Sequence, residues 1–251
     1  QDAITQMRPY SEKLTQLLQD LSATLDDDAS SKYAEEREIN NVLIVAVSSN
    51  KGLAGAFNTN IIKAVKYKIQ NDYQAKNVDI YGIGKKANDI LKKDYSIYKN
   101  ENAIFDDLSF ENASEIAEEL MQLFLDGKYD KIVLVYNQFK NAGTQIVQHE
   151  QFLPIEKFET EDNKQLDYIF EPSKIEIVKD LIPKSLKMQL FKAIRDSFAS
   201  EHGARMTAMH KATDNAKELR DDLKLSYNKA RQASITNEIL EIVGGAEALN
   251  G

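Results

Sequence analysis

The chain has 251 residues, of which 42% are hydrophobic and 29% are charged, so it carries enough apolar material for one sizeable core. Its 40 acidic and 32 basic residues give a formal charge of −8, which argues against a nucleic-acid-binding surface spread over the whole chain. The sequence contains no cysteine, which excludes disulfides, thiolate catalysis and cysteine-based zinc or iron–sulfur sites.

Residues 1–30 predict a helix at the start of the chain. From residue 2 to about residue 25, apolar side chains recur at helical spacing on one side, and Pro9 is the only helix breaker. The chain begins with Gln1 and no charged-then-apolar leader follows, so we expect no secretory signal and interpret this start as a cut. No stretch reaches the roughly 20 consecutive apolar residues that a membrane-spanning helix needs, so we expect the chain not to cross a bilayer.

Residues 40–165 predict an α/β domain, because strand-sized apolar runs alternate with helical patterns. The strands are expected at Asn41–Val47, Val78–Tyr81, Tyr95–Tyr98, Lys131–Tyr136 and Ile146–Phe152. The helices are expected at Phe57–Gln70, Lys85–Lys93 and Asn112–Leu125, with Gly127 capping the last of them. Pro154 stops the final strand, which is typical of the edge of a sheet.

Residues 173–251 predict one long helix. From Ala204 to Val243 there are 40 residues without glycine or proline, and we expect the helix to begin near Ser185, just after Pro183. At about 1.5 Å per residue it would span on the order of 85 Å, which is too long for a packing element of a compact domain.

Small and apolar residues repeat along this helix with the 3.5-residue period of a coiled coil. The seam consists of Met209, Ala212, Ala216, Leu219, Leu223, Ser226, Ala230, Ala233 and Asn237. Its small side chains let a partner helix approach closely, which favours a slender shaft. Residues 1–30 are the natural antiparallel partner but are too short, so we expect another segment or subunit to cover much of Met209–Ile242. A second stripe of Ile235, Ile239 and Ile242 lies off the seam.

One glycine motif leaves nucleotide binding open. The segment Gly82–Ala87 fits G-x-G-x-x-A between a strand and a helix, an arrangement that can present backbone amides to a pyrophosphate. It belongs to the second βα unit and is short enough to recur by chance, so a structural turn is the favoured interpretation. The loop Asn50–Asn58 is likewise interpreted as a tight turn. The three histidines and the dispersed carboxylates form no ligand or catalytic pattern, so we expect no catalytic, cofactor-binding or metal site.

A family resemblance rests on blocks near the C-terminus. They are GARMTAM at 203–209, ATDNA at 212–216, YNKARQASIT at 227–236, EI at 238–239 and EIVGGA at 241–246. In order and spacing they resemble the C-terminal signature of gamma subunits of bacterial-type F1Fo ATP synthases. KGLAGAFN at 51–58 is similar to the family's G-L-C-G-x-x-N, with Ala54 in place of the usual cysteine. Matches at Pro9–Tyr10, Asn137–Phe139 and 167–172 extend the resemblance over the whole chain, which we interpret as lacking the start of its N-terminal helix.

The resemblance implies a Rossmann-like α/β domain flanked by N- and C-terminal helices that form an antiparallel coiled coil. It implies a non-catalytic rotor subunit of the central stalk, which couples proton-driven rotation of the c ring to conformational change in the catalytic beta subunits. The implied partners are the hexamer of alpha and beta subunits, the epsilon subunit and the c ring, without nucleic acid or cofactor. Membrane contact would occur only through the ring, at the cytoplasmic face of the bacterial inner membrane.

The resemblance also implies two sets of contact residues. Contacts with the catalytic subunits fall on Arg231, Gln232, Thr236 and Glu241, and contacts with the c ring or foot on Tyr168, Phe170 and Glu171. Two other functions remain as alternatives: a nucleotide-binding α/β enzyme that uses the Gly82–Ala87 turn, and a free-standing coiled-coil adaptor.

Overall fold

The computed structural model of the chain describes residues 9, 13–14, 31–155 and 174–250. The chain divides into two compact units, Gln1–Met206 and Thr207–Gly251. Of the predicted N-terminal helix, Pro9, Lys13 and Leu14 are helical and Leu14 is buried. The rest of residues 1–30, and with it the expected coiled-coil pairing of that helix, lies outside the described residues.

The first unit contains a five-stranded sheet. Its strands are β1 (Asn41–Val47), β2 (Asn77–Ile83), β3 (Ser96–Glu101), β4 (Lys131–Asn141) and β5 (Thr144–Leu153). The helices of the described chain are α1 (Ser31–Ala34), α2 (Phe57–Asp72), α3 (Lys85–Leu91), α4 (Phe110–Leu125) and α5 (Lys174–Asn250), and a short 3-10 helix covers Ala103–Phe105.

Strand β1 lies at the centre of the sheet, whose strand order is β3-β2-β1-β4-β5. Strands β1 to β4 are parallel, and β5 runs antiparallel to β4. Ile44 of β1 is level with Ile80 of β2 and Val133 of β4, and all of β1 after Asn41 is buried. A continuous apolar run is typical of a strand covered on both faces. The predicted α/β class is confirmed, and β5 is the edge strand that Pro154 indicated.

Successive side chains of β1 point into two separate cores, as the two-residue period of a strand requires. Leu43 and Val45 pack with α4 and the first part of α5 on one face of the sheet. Val42 and Ile44 pack with α2 and α3 on the other face. Helices therefore cover both faces of the sheet, and the carboxyl ends of its parallel strands are left as the edge where loops meet.

Helix α5 begins earlier than predicted. It starts at Lys174 and contains Pro183, whereas the sequence placed its start near Ser185. An interior proline costs about 3 kcal/mol because it removes one backbone hydrogen bond and crowds the preceding turn. The buried side chains of Ile182 and Leu186, spaced one turn apart on the face that packs against the sheet, offset that cost.

Helix α4 ends as predicted. Its first turn is capped by Ser109, whose hydroxyl accepts a hydrogen bond of 3.3 Å from the Asn112 amide. At the other end Gly127 adopts φ +70°, and the Lys128 amide donates to the Leu123 carbonyl at 3.1 Å. This left-handed residue is the glycine cap that the sequence indicated.

The second unit is helical from Thr207 to Asn250. From Met209 to Ala248 every residue is exposed in the single chain, including all of the predicted seam. Cover for the seam by another segment or subunit therefore stays a prediction. None of the helices in the described part of the chain combines the length and the hydrophobicity that a membrane span requires.

Alkaline unfolding tests the packing of the α2–α3 face. Burial, aided by the nearby Asp72 carboxylate, raises the pKa of Tyr73 from 10.0 to about 12. Between these two pKa values the native state retains a phenolic proton that the unfolded state loses, so the free energy of unfolding should fall as the pH rises from about 10 to about 12. Tyr73→Phe should flatten part of this decline in denaturant titrations at successive pH values. Tyr67→Phe is the control because the Tyr67 side chain is exposed, and an equal flattening by that variant would contradict the prediction.

Candidate functional site

The Gly82–Ala87 turn joins β2 to α3 at the carboxyl edge of the sheet, where open α/β folds place ligands. Gly84 has φ +95°, and a Cβ atom at this position would lie 2.2 Å from the carbonyl oxygen of Ser48. Glycine is required here because the turn passes directly over the end of β1. The space beside Gly84 is thus filled by the backbone of Ser48.

The backbone amides of this turn already have protein partners. The Lys85 amide donates to Asn50 Oδ1 at 3.1 Å, the Lys86 amide to the Ser49 carbonyl at 3.0 Å, and the Ala87 amide to Ser48 Oγ at 3.1 Å. These are the groups that a pyrophosphate would need at the start of a helix. The motif is therefore a structural turn, which supports the favoured interpretation over nucleotide binding.

The loop Asn50–Asn58 is held by hydrogen bonds of its own. Asn58 Oδ1 accepts from the Ser49 amide at 3.0 Å, and Ser49 Oγ donates to the Lys51 carbonyl at 2.6 Å. Leu53 at the tip has φ +60° and is 89% exposed. The expected tight turn is present, but the loop also contacts helix α5, which sequence reasoning missed.

That contact joins two of the blocks that carried the family resemblance. Ala54 and Phe57 of the loop form a small buried cluster with Ala204 of α5. Arg205 Nη2 donates to the carbonyls of Lys51 and Gly52 at 3.3 Å each. Both blocks were visible in the sequence, but nothing in their spacing indicated that residues about 150 positions apart would pack together.

The described ranges contain no cluster of side chains that could hold a metal ion. All three histidines, His149, His202 and His210, are exposed. The ring of His202 packs edge-on against the ring of Phe198, with centroids 4.5 Å apart. No group of three or more histidine, aspartate and glutamate side chains in the described ranges could hold a metal ion.

The four residues expected to contact the catalytic subunits are exposed on the second unit. At about 100° per residue, Gln232 and Thr236 lie close together on the helix surface, while Arg231 and Glu241 lie on other sides. No ion pair of Arg231 or Glu241 is present within the described part of the chain. Tyr168, Phe170 and Glu171 lie outside the described residues.

The end of this helix is apolar on two opposite sides. Ile235, Ile239 and Ile242 fall within about 60° of one another, and the seam residues Ala230 and Ala233 lie about 180° away. Each of the three isoleucines is 46% exposed or more. A helix with one apolar stripe needs one neighbour, whereas this segment offers apolar contact on both sides.

Comparison with known proteins decides the family. The family model described as ATP synthase matches residues 1–249. The ATP synthase gamma chain of Christiangramia forsetii is 89% identical over 251 residues, covering all of this chain and 88% of the relative. The chain belongs to the ATP synthase gamma-chain family. The gamma chain of Flavobacterium johnsoniae is 65% identical, with the same 100% and 88% coverage.

Solved structures contain chains with the same fold as this chain. A chain of the Euglena gracilis mitochondrial ATP synthase, in a structure of OSCP, F1 and the c ring, matches with a TM-score of 0.66 and 21% identity, covering 99% of this chain and 92% of that one. A chain of the Tetrahymena thermophila central stalk and c ring matches with a TM-score of 0.57 and 22% identity, over 84% and 97% of the two chains.

The resemblance read from the sequence is thus confirmed, together with the function of a gamma chain in the central stalk of F1. The gamma chain is a subunit of the ATP synthase complex and not itself an enzyme. Neither the nucleotide-binding enzyme nor the free-standing adaptor is supported.

A titration with nucleotides tests the occupied turn. Because Ser48, Ser49 and Asn50 engage the amides of residues 85–87, calorimetric titration of the isolated gamma chain with ATP and then with NAD should give no stoichiometric heat. The turn variant Asn50→Ala, which leaves the Lys85 amide without its side-chain acceptor, serves as a comparison. Saturable binding near 1:1 to the wild-type chain, with an affinity that changes in Asn50→Ala, would contradict the assignment.

Proposed function

We propose that this gamma chain is the rotating shaft of F1. In this proposal the helix of residues 207–250 lies inside the hexamer of alpha and beta subunits. The α/β domain, together with the epsilon subunit, attaches to the c ring. Rotation of the ring then turns the shaft and changes the nucleotide affinities of the catalytic beta subunits.

The exposed apolar surface of the second unit is the observation that carries the proposal. Leu219 and Leu223 on the seam are 60% and 61% exposed, and Ile242 on the opposite stripe is 71% exposed. Burying such a side chain contributes about 1.5–3 kcal/mol, and an isolated helix without tertiary contacts is marginal in water. A hexamer of alpha and beta subunits that surrounds the helix would cover both apolar sides at once, whereas a single partner helix would cover only one.

Coupling follows from asymmetry. A shaft that presents different side chains on different sides makes different contacts with three chemically equal catalytic subunits. If those contacts differ between conformations of a beta subunit, turning the shaft shifts the conformational equilibrium of each subunit in turn. The gamma chain therefore needs no reactive group of its own.

Arg231 is the residue we assign the largest part in this contact. Its guanidinium can form a bidentate pair with a carboxylate on a passing loop, which is stronger and more directional than a lysine contact. A solvent-exposed pair contributes only about 0–1 kcal/mol, so the coupling must come from a pair that is desolvated in one rotary state and absent in another. Gln232, Thr236 and Glu241 extend the contact around the helix.

The attachment to the ring is proposed from the resemblance. Tyr168, Phe170 and Glu171 precede α5 and combine aromatic and acidic side chains, a composition suited to a docking surface that is partly apolar and partly polar. In this proposal the subunit lies at the cytoplasmic face of the bacterial inner membrane and touches the membrane only through the c ring. The Tetrahymena neighbour comes from a structure of the central stalk and c ring, which supports attachment to the ring.

Replacement of Arg231 tests the catalytic contact. In complexes reassembled with the full-length gamma chain, Arg231→Ala should lower coupled ATP synthesis and multisite hydrolysis by about three- to tenfold, which corresponds to roughly 0.6–1.4 kcal/mol. Arg231→Lys should recover only part of the loss because it keeps the charge but not the bidentate geometry.

Arg220→Ala is the matched control for this experiment, since the Arg220 guanidinium already pairs with Asp221 at 2.8 Å on its own helix. Turnover should be measured only in complexes whose subunit composition is verified, with helix content checked by circular dichroism. Wild-type turnover from fully assembled Arg231→Ala complexes would remove Arg231 from the proposed mechanism.

A further inference from the structure

We propose that residues 200–205 of helix α5, here called the helix root, form a torque-bearing joint with the carboxyl edge of the sheet. The inference rests on the proposed rotor function and names the contact through which the α/β domain turns the helix. All of its residues precede Thr207, and so belong to the first unit.

The first component of the joint is steric. A Cβ atom on Gly203 would lie 3.0 Å from Ala142 Cα and 3.3 Å from Phe139 Cε2, in the hairpin that connects β4 and β5. The helix backbone at Gly203 therefore lies directly against the backbone of Ala142 and the ring of Phe139. Such contact leaves no clearance for the helix to shift toward the sheet.

The second component is a buried hydrogen-bond chain. Ser200 Oγ donates to the Asn137 carbonyl at 3.0 Å, and Asn137 Nδ2 donates to the Phe57 carbonyl at 3.2 Å. Ser200 and Asn137 are fully buried, so breaking either bond leaves a polar group without water. This chain ties the helix root to the end of β4 and to the first turn of α2.

The third component is the loop after β1. Arg205 donates to the carbonyls of Lys51 and Gly52, and its guanidinium is held in place by Glu201 at 2.7 Å. Ala204 packs beside it against Ala54 and Phe57. Arginine suits this position because its planar fork can reach two acceptors at once.

The arrangement of these contacts around the helix is what resists torque. At about 100° per residue, Gly203, Ser200, Ala204 and Arg205 cover roughly 200° of the helix circumference. A helix that touches its support along one apolar ridge can roll, because apolar contacts are non-directional. Contacts over more than half of the circumference, including directional hydrogen bonds, oppose rotation of the helix about its own axis.

Angular fluctuation measures this joint directly. Because residues 1–251 contain no cysteine, Lys76→Cys on the exposed surface of the α/β domain supplies a single thiol within them for attaching a bead. In the assembled complex, with the catalytic hexamer held by bound nucleotide, the angular variance of the bead reports the torsional stiffness between hexamer and domain. Gly203→Ala and, separately, Arg205→Gln should each raise that variance at least twofold at a temperature well below unfolding.

Arg37→Gln is the matched control, because Arg37 likewise donates to a backbone carbonyl, that of Phe124 at 3.0 Å, and pairs with a glutamate, but contacts none of residues 200–205 through these bonds. Wild-type variance in Gly203→Ala and Arg205→Gln complexes of verified composition would overturn the joint. The angular variance is measured in a complex whose hexamer is fixed by bound nucleotide, so the test of the joint does not depend on ATP-driven rotation. Failure of the wild-type complex to rotate with ATP would instead count against the proposed function, so the two failures are distinguishable.

Discussion

The packing of α5 onto the sheet is the interaction on which the rest of the structure depends. Its early turns bury Ile182, Leu186 and Leu190 in the same core as α4. This burial offsets the free-energy cost of Pro183 inside the helix. Further along, apolar side chains give way to Ser200, Gly203 and Ala204, which fit closely against strand ends and loops. Within a few turns, the contacts of this one helix thus change from apolar core packing to close contacts of small and polar residues.

Sequence patterns predicted the parts of the fold that depend on local periodicity. The apolar run of β1 and the capped helix α4 were placed closely because burial and capping leave signals at short range. The start of α5 was misplaced because a proline is a local signal, whereas the packing that tolerates it is tertiary. The polar end of β4, residues 137–141, was missed because pairing with β5, and not hydrophobicity, continues the strand.

The candidate site divides in the same way. The Gly82–Ala87 motif could not be settled from sequence, since the groups that occupy its amides lie about 35 residues upstream. The contact between the loop after β1 and the helix root was missed, although both segments matched the family. The positions of Arg231 and Glu241 on different sides of the helix follow from residue spacing alone, whereas their contacts with the catalytic subunits stay a prediction.

The two apolar sides of the helix in the second unit also affect the solution behaviour of the chain before it joins a complex. Residues 207–251 carry six basic and seven acidic side chains, so this unit is nearly neutral while the whole chain has a charge of −8. Electrostatic repulsion between free copies therefore comes mainly from the first unit, Gln1–Met206. The second unit exposes its leucines and isoleucines with almost no net charge to oppose association. Self-association then competes with assembly, and added salt favours it by screening the repulsion.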